Sequence, residues 1–243
     1  VFLRDLTDAV RSVKPSALLI AEDLRRDPRM IASAGFDTQW EDNAAALYEA
    51  AARGATLARL QRWFLPSRAG PAVCAGSPGL APPSSGRCGP QRLVFLETHD
   101  IVPSDRLARF ALTALAATGG PAIADPATLK LPAPLHDDAR SLCALAGLCL
   151  LTAPGMPMLC QGQEAGETRC APWPVNMVGR CDALEGGGGD AEIALAYARL
   201  LRVRASRPAL RGAYAHVYAG DDASGVFAVH RQHERDDAVV VIN

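Results

Sequence analysis

Two apolar runs far apart in this chain each stop on acidic residues, and that pattern limits the folds open to it. Ser16 to Ala21 is followed by Glu22 and Asp23. Arg92 to Leu96 is followed by Glu97, Thr98, His99 and Asp100. A short apolar run reads as a strand buried on both faces. Charges at its C-terminal end have no packing role there. In parallel α/β architectures that end of the sheet is where active sites are built. Glu22 and Asp100 are therefore candidates to face one cleft.

The rest of the chain keeps the alternation. Apolar residues at Phe2, Leu3, Leu6, Val10 and Val13 have helical spacing, and Pro15 punctuates the segment. Residues 24–33 read as a polar loop, and Gly35 to Trp40 as a short strand ending near Glu41 and Asp42. Helices are expected over 44–52, 57–64 and 106–117. A stronger one is expected over 137–152, with Asp137 as candidate N-cap. Pro157 to Cys160 reads as a strand leading into Gln161–Gly162–Gln163–Glu164. Residues 66–90 and 119–134 are Pro-rich and read as surface insertions. Residues 186–189 are a run of glycines that reads as a linker. A helix follows over 190–205, and after Pro208 come three strand patterns at 214–218, 226–230 and 238–242.

A helix, four strand–helix units and a β tail argue for a parallel sheet or a (β/α) barrel; the division expected is a partial (β/α)8 barrel over 1–208 and the start of an all-β C-terminal domain over 209–243, the barrel choice resting on the family likeness described below. Four units cannot close an eight-stranded barrel, which takes about 250 residues. Half a barrel leaves two strand edges and an apolar inner face needing a partner half.

With 243 residues, a net charge of -1 and 49% hydrophobic residues, the chain can bury a sizeable core. The near-zero charge and the lack of a basic run speak against nucleic-acid binding. The longest apolar stretch is broken at Gly147 and ends at Pro154, too short to cross a bilayer. Seven cysteines fit no zinc spacing. Cys143 and Cys149 fall inside a helical apolar pattern and read as buried free thiols. Cys74 and Cys88 flank a Pro/Gly/Ser loop, where a disulfide is open but unforced. This usage favours a reducing intracellular compartment, cytoplasm or plastid. The chain opens at Val1 inside a helical pattern, as a piece of a longer protein would.

Two carboxylates at neighbouring strand ends suit glycoside chemistry, in which one acid protonates the leaving oxygen while another carboxylate attacks or stabilises the sugar cation. Partial desolvation of Glu22 would raise its pKa, as a general acid requires. Asp100 beside His99 places a negative charge and a donor on one sugar ring. The rival readings are a solvated, helix-capping end for Glu22 and Asp23, and a structural hydrogen-bonded pair for His99 and Asp100. Glu164 is open to a simple turn role, and Trp40 to core or rim packing rather than stacking on sugar.

These residues carry a resemblance. Leu19–Ile20–Ala21–Glu22–Asp23–Leu24, followed by Gly35–Phe36–Asp37–Thr38–Gln39–Trp40, resembles the fifth and sixth strands of the α-amylase superfamily, glycoside hydrolase family thirteen. The likeness is to 1,4-α-glucan branching enzymes in particular. Phe95 to Asp100 is similar to the seventh-strand motif, and Thr152 to Glu164 to the eighth strand and its loop. The motifs occur in the family's order and span nearly the whole chain.

The resemblance implies a retaining enzyme acting on an α-1,4-glucan: starch, glycogen or a maltooligosaccharide. Glu22 matches its general acid/base and Asp100 its transition-state-stabilising carboxylate. His99 matches a sugar-contacting histidine, Glu164 lies in the loop lining the cleft, and Trp40 is a candidate sugar contact. The glycosyl acceptor is a sugar 6-hydroxyl in branching enzymes and water in amylases. No cofactor is implied, and the calcium of the full-length family has no evident site here. The family's nucleophile is an aspartate on the fourth strand, which no stretch of this chain matches. Asp5 and Asp8 lie in the helix after that strand and are not promoted to its role. The isolated chain is thus expected to be inactive. An α-amylase-type or trehalose-releasing hydrolase, a non-catalytic glucan-binding remnant and an unrelated α/β domain are the alternatives.

Overall fold

The computed structural model describes residues 1–23, 27, 29–41, 57–64, 92–101, 106–111, 137–168, 189–212, 214–221 and 223–243. The elements are α1 (Phe2–Val13), β1 (Ile20–Ala21), α2 (Arg29–Ala32), β2 (Thr38–Glu41), α3 (Leu57–Phe64), β3 (Arg92–Phe95), α4 (Asp137–Thr152) and β4 (Met156–Met158). A 3-10 turn (Gln163–Ala165) leads on to α5 (Ala191–Ser206), α6 (Pro208–Arg211), β5 (Tyr214–Asp221), β6 (Val226–His233) and β7 (Asp236–Ile242). Residues 107–111 are also helical. The helix expected over 44–52, both Pro-rich insertions and residues 186–188 lie outside the described residues.

β1 to β4 form a parallel sheet in chain order, as four strand–helix units require. β5 to β7 form a separate antiparallel meander. The α/β class and the β tail are as the alternation predicts. All four parallel strands point the same way, so their C-terminal ends share one edge.

The strands differ in burial for a topological reason. β3 has a neighbour on each side, and all four of its residues are buried. β1 is an edge strand, and pairing reaches only Ile20↔Thr38 and Ala21↔Gln39. The expected strand over 16–22 therefore shrinks to two residues, with Leu18 and Ile20 exposed. Asp37 fixes the start of this pair by accepting the Leu19 N–H at 2.8 Å.

α1 is anchored by polar groups. Thr7 is buried and its hydroxyl donates to the Ala34 carbonyl at 2.7 Å. Arg11 donates to the Gly35 carbonyl at 2.6 Å and pairs with Asp37 at 2.9 Å. Gly35 has φ +85°, and a Cβ there would lie 2.8 Å from the Thr7 hydroxyl, so only glycine fits. Phe2, Leu6 and Val13 stay exposed. The loop expected over 24–33 contains α2. Asp137 is the first helical residue of α4 instead of its cap, and it contributes charge to the first turn. α5 does begin on a true N-cap: Asp190 accepts the Glu192 and Ile193 amides at 2.8 and 3.2 Å.

One buried cluster crosses the 208/209 position, joining Trp63 and Phe64 of α3, Val94, Leu150 and Tyr197 to Phe227, Val229 and Val240 of the C-terminal sheet. Phe64 and Phe227 meet with ring centroids 5.7 Å apart. Arg231 on β6 is fully buried and donates to the carbonyls of Thr152, at the end of α4, and of Tyr214 and Gly212. Cys143 and Cys149 are buried free thiols, as their pattern predicts.

Candidate functional site

The C-terminal edge of the parallel sheet collects the candidate groups. Glu22 lies one residue beyond β1, and His99 and Asp100 lie on the turn beyond β3. The ligand-type atoms of these three side chains all fall within 4.8 Å of one another. The sequence separation of Glu22 and Asp100 is thus bridged by the sheet, with β2 between their strands. His99 Nε2 is 3.5 Å from Asp100 Oδ1, and their side chains are 48% and 65% exposed, open to a ligand. The turn is set by Thr98: its carbonyl accepts the Ile101 N–H at 3.1 Å, and its hydroxyl accepts the Asp100 N–H at 3.3 Å.

Glu22 is exposed. The partial desolvation expected of it is not supplied by the protein, because β1 is too short and too near the sheet edge to cover its own end. Asp23, its neighbour, points into the following loop, where it accepts from Gln39 Nε2 and from the Asp27 N–H, both at 3.1 Å. The two adjacent acids therefore differ: Asp23 is tied to Asp27 and Gln39, and Glu22 is exposed.

Trp40 is half-buried on β2. Its ring lies 5.1 Å from that of Phe95 and 6.3 Å from that of His99, edge-on to the imidazole. It packs between Phe95 and the histidine. Glu164 sits in the 3-10 turn beyond β4, and its carboxylate accepts the Gly162 N–H at 3.0 Å. It does not join the cluster of three. The adjacent Gln163 is buried and donates to the Tyr197 hydroxyl at 3.1 Å, and burial lifts that phenol well above its ordinary range.

Beneath the cluster lies a buried ion pair that motif reading passed over. Glu97 and Arg106 are 2.8 Å apart with essentially no exposure. Its signal in the sequence is a carboxylate closing an apolar strand with an arginine nine residues on: a charge at a buried position needs a partner. Arg92 and Glu41 form a second buried pair at 3.5 Å. Cys160 stands near the same edge, its thiol held above the usual range by burial and by the Glu97 charge. Among the described residues, Glu22, His99 and Asp100 are the set that could hold a cation, though exposed acids of this kind also occur without one.

No protein-family model and no curated protein matches the sequence. Solved structures do match its fold. The α-amylase of Geobacillus thermoleovorans in complex with acarbose superposes with a TM-score of 0.61 at 21% identity, over 100% of this chain and 45% of that one. The fold is that of part of an α-amylase barrel with a C-terminal β sheet. The type III pullulan hydrolase of Thermococcus kodakarensis matches with a TM-score of 0.64 and 19% identity, over 100% and 36%. An acarbose-soaked debranching enzyme of Nostoc punctiforme matches at 0.57 and 18%, over 100% and 44%. The chain spans less than half the length of each.

Proposed function

We propose that this chain forms the acid/base side of a retaining α-glucan site. The observation that carries the reading is the convergence of Glu22, His99 and Asp100 within 4.8 Å on one sheet edge. In this reading Glu22 gives its proton to the glycosidic oxygen as the bond breaks. Asp100 holds negative charge against the ring carbon as positive charge grows there, and His99 donates to a ring hydroxyl. Trp40 fixes the histidine and contacts the sugar, and Glu164 shapes the loop lining the cleft. The bound sugar itself would bury Glu22, replacing the water that now surrounds it.

The covalent step needs a nucleophilic carboxylate, and the motif likeness assigns that role to a strand outside these 243 residues. The proposed partner is a complementary half-barrel. The similarity of Leu19–Leu24 to branching enzymes supports a sugar 6-hydroxyl as acceptor; the amylase and pullulan-hydrolase likeness of the fold supports water. The finer choice rests with a product assay on the completed site.

The direct test is calorimetric titration of the chain with acarbose. Binding that weakens at least tenfold in Asp100→Asn and His99→Ala, and little in Glu22→Gln, is the expected result. The reading fails if acarbose does not bind, or binds equally to all variants. The chain alone should not turn over starch; robust turnover abolished by Glu22→Gln would refute the placement of the nucleophile outside it.

A further inference from the structure

The loop that carries His99 and Asp100 is closed at its base. Glu97 stands at its start and Arg106–Leu107 at its end. Glu97 Oε1 accepts the Leu107 backbone N–H at 2.6 Å. Glu97 Oε2 lies 2.8 Å from Arg106 Nη2. The same guanidinium nitrogen donates to the Gln161 carbonyl at 2.9 Å, on the loop beyond β4. Gly162 follows, with φ +90°, and a Cβ there would lie 3.2 Å from Arg106 Nη2 and 2.9 Å from Glu167 Cβ. The backbone of the Glu164 turn is therefore packed directly on the arginine.

We infer that Glu97 and Arg106 are positioning residues for the site: the pair fixes the reach of His99 and Asp100 toward Glu22 and ties that reach to the loop bearing Glu164. This rests on the glucan-site reading for its functional meaning. The chemistry at position 97 is specific. A carboxylate carries its charge on both oxygens, and here Oε1 accepts the Leu107 amide while Oε2 faces the Arg106 guanidinium as an ion pair. A glutamine of the same shape can satisfy one donor only. If its oxygen takes Leu107, its amide N–H groups face the guanidinium. If its oxygen takes Arg106, its amide faces the Leu107 N–H. Either way one end of the loop is released, and burial denies it water as a substitute. At position 106 one guanidinium nitrogen, Nη2, meets both the Glu97 carboxylate and the Gln161 carbonyl, and a lysine ammonium, a point charge on a stem of different length, would have to reach both from another position.

The experiment is NMR on the full chain, following the His99 imidazole and the backbone amides of His99, Asp100, Gly162 and Glu164, with acarbose affinity measured in parallel. Glu97→Gln is expected to shift or broaden the His99 and Asp100 signals while Val229 and Val240 keep theirs, and to weaken acarbose at least tenfold. Leu150→Val, a change in the buried core that removes no polar contact of the loop, should leave both readouts in place. A folded Glu97→Gln with unmoved His99 and Asp100 signals overturns the inference, as does a Leu150→Val variant that moves them equally. If Glu97→Gln does not fold, Arg106→Lys decides: signals on both loops must move together, and stationary signals overturn the coupling. If the wild-type chain fails to bind acarbose, the glucan reading falls, and the loop signals still decide the positioning claim.

Discussion

Replacing Arg231 tests what joins the C-terminal sheet to the α/β half. The guanidinium is fully buried, and its nitrogens serve separate carbonyls. Nε donates to Tyr214 at 2.7 Å, Nη2 to Gly212 at 2.6 Å, and Nη1 to Thr152 at the C-terminus of α4. Its acceptors there are backbone dipoles. Burial, followed by the nearby Arg204 and Arg92 charges, lowers its pKa to about 9, so it stays charged at neutral pH. Positive charge at a helix C-terminus is favourable, and that offsets part of the desolvation cost. In Arg231→Lys the ammonium is a single point and cannot reach carbonyls on α4, β5 and the loop before it together. At least two carbonyls lose their donor, at about 1–3 kcal/mol each, so the loss should be about 4 kcal/mol. For a chain of this size that corresponds to a fall in Tm of roughly 10 °C. Thermal and urea unfolding followed by circular dichroism measure it. A variant melting within about 2 °C of wild type refutes the claim that the fork geometry, and not merely the charge, makes the junction.

Four further outcomes follow from the packing and the caps. Burial pushes Cys143 and Cys149 to about 12 from an ordinary value of 9.0, so neither should react with a thiol reagent at pH 8 until the chain unfolds. Between about pH 9 and 12 the unfolded thiols lose protons that the folded ones keep, so their contribution to stability falls as pH rises; Cys143→Ala with Cys149→Ala should flatten that part of the profile. Gly147→Ala places a methyl 2.8 Å from the buried Tyr197 ring, and the clash should outweigh the gain in helix propensity, destabilising by about 1–3 kcal/mol; a raised Tm would contradict this. Asp190→Ala removes both the α5 cap and the 2.6 Å pair with Arg140, and should cost about 1–2 kcal/mol in urea unfolding, whereas Asp190→Asn should recover most of the cap term.

The sequence alone determined the alternation of strands and helices, the parallel order, the β tail and the acids at the strand ends. Those follow from period, turn residues and local polarity, which are properties of short segments. It also placed Glu22, His99 and Asp100 as candidates, because an ionisable group closing an apolar run has few packing uses. Tertiary structure decided what local pattern cannot reach. It made β1 two residues long, since an edge strand has one partner to extend along. It left Phe2, Leu6 and Val13 of α1 exposed and docked the helix through Thr7 and Arg11. It separated Glu22 from Asp23, adjacent in sequence: one is exposed and the other is hydrogen bonded to Asp27 and Gln39. It buried Glu97 against Arg106, nine residues on in the sequence. Each of these depends on which segments meet in space, and a carboxylate carries no mark in the sequence of whether its neighbour will be water, sugar or a guanidinium.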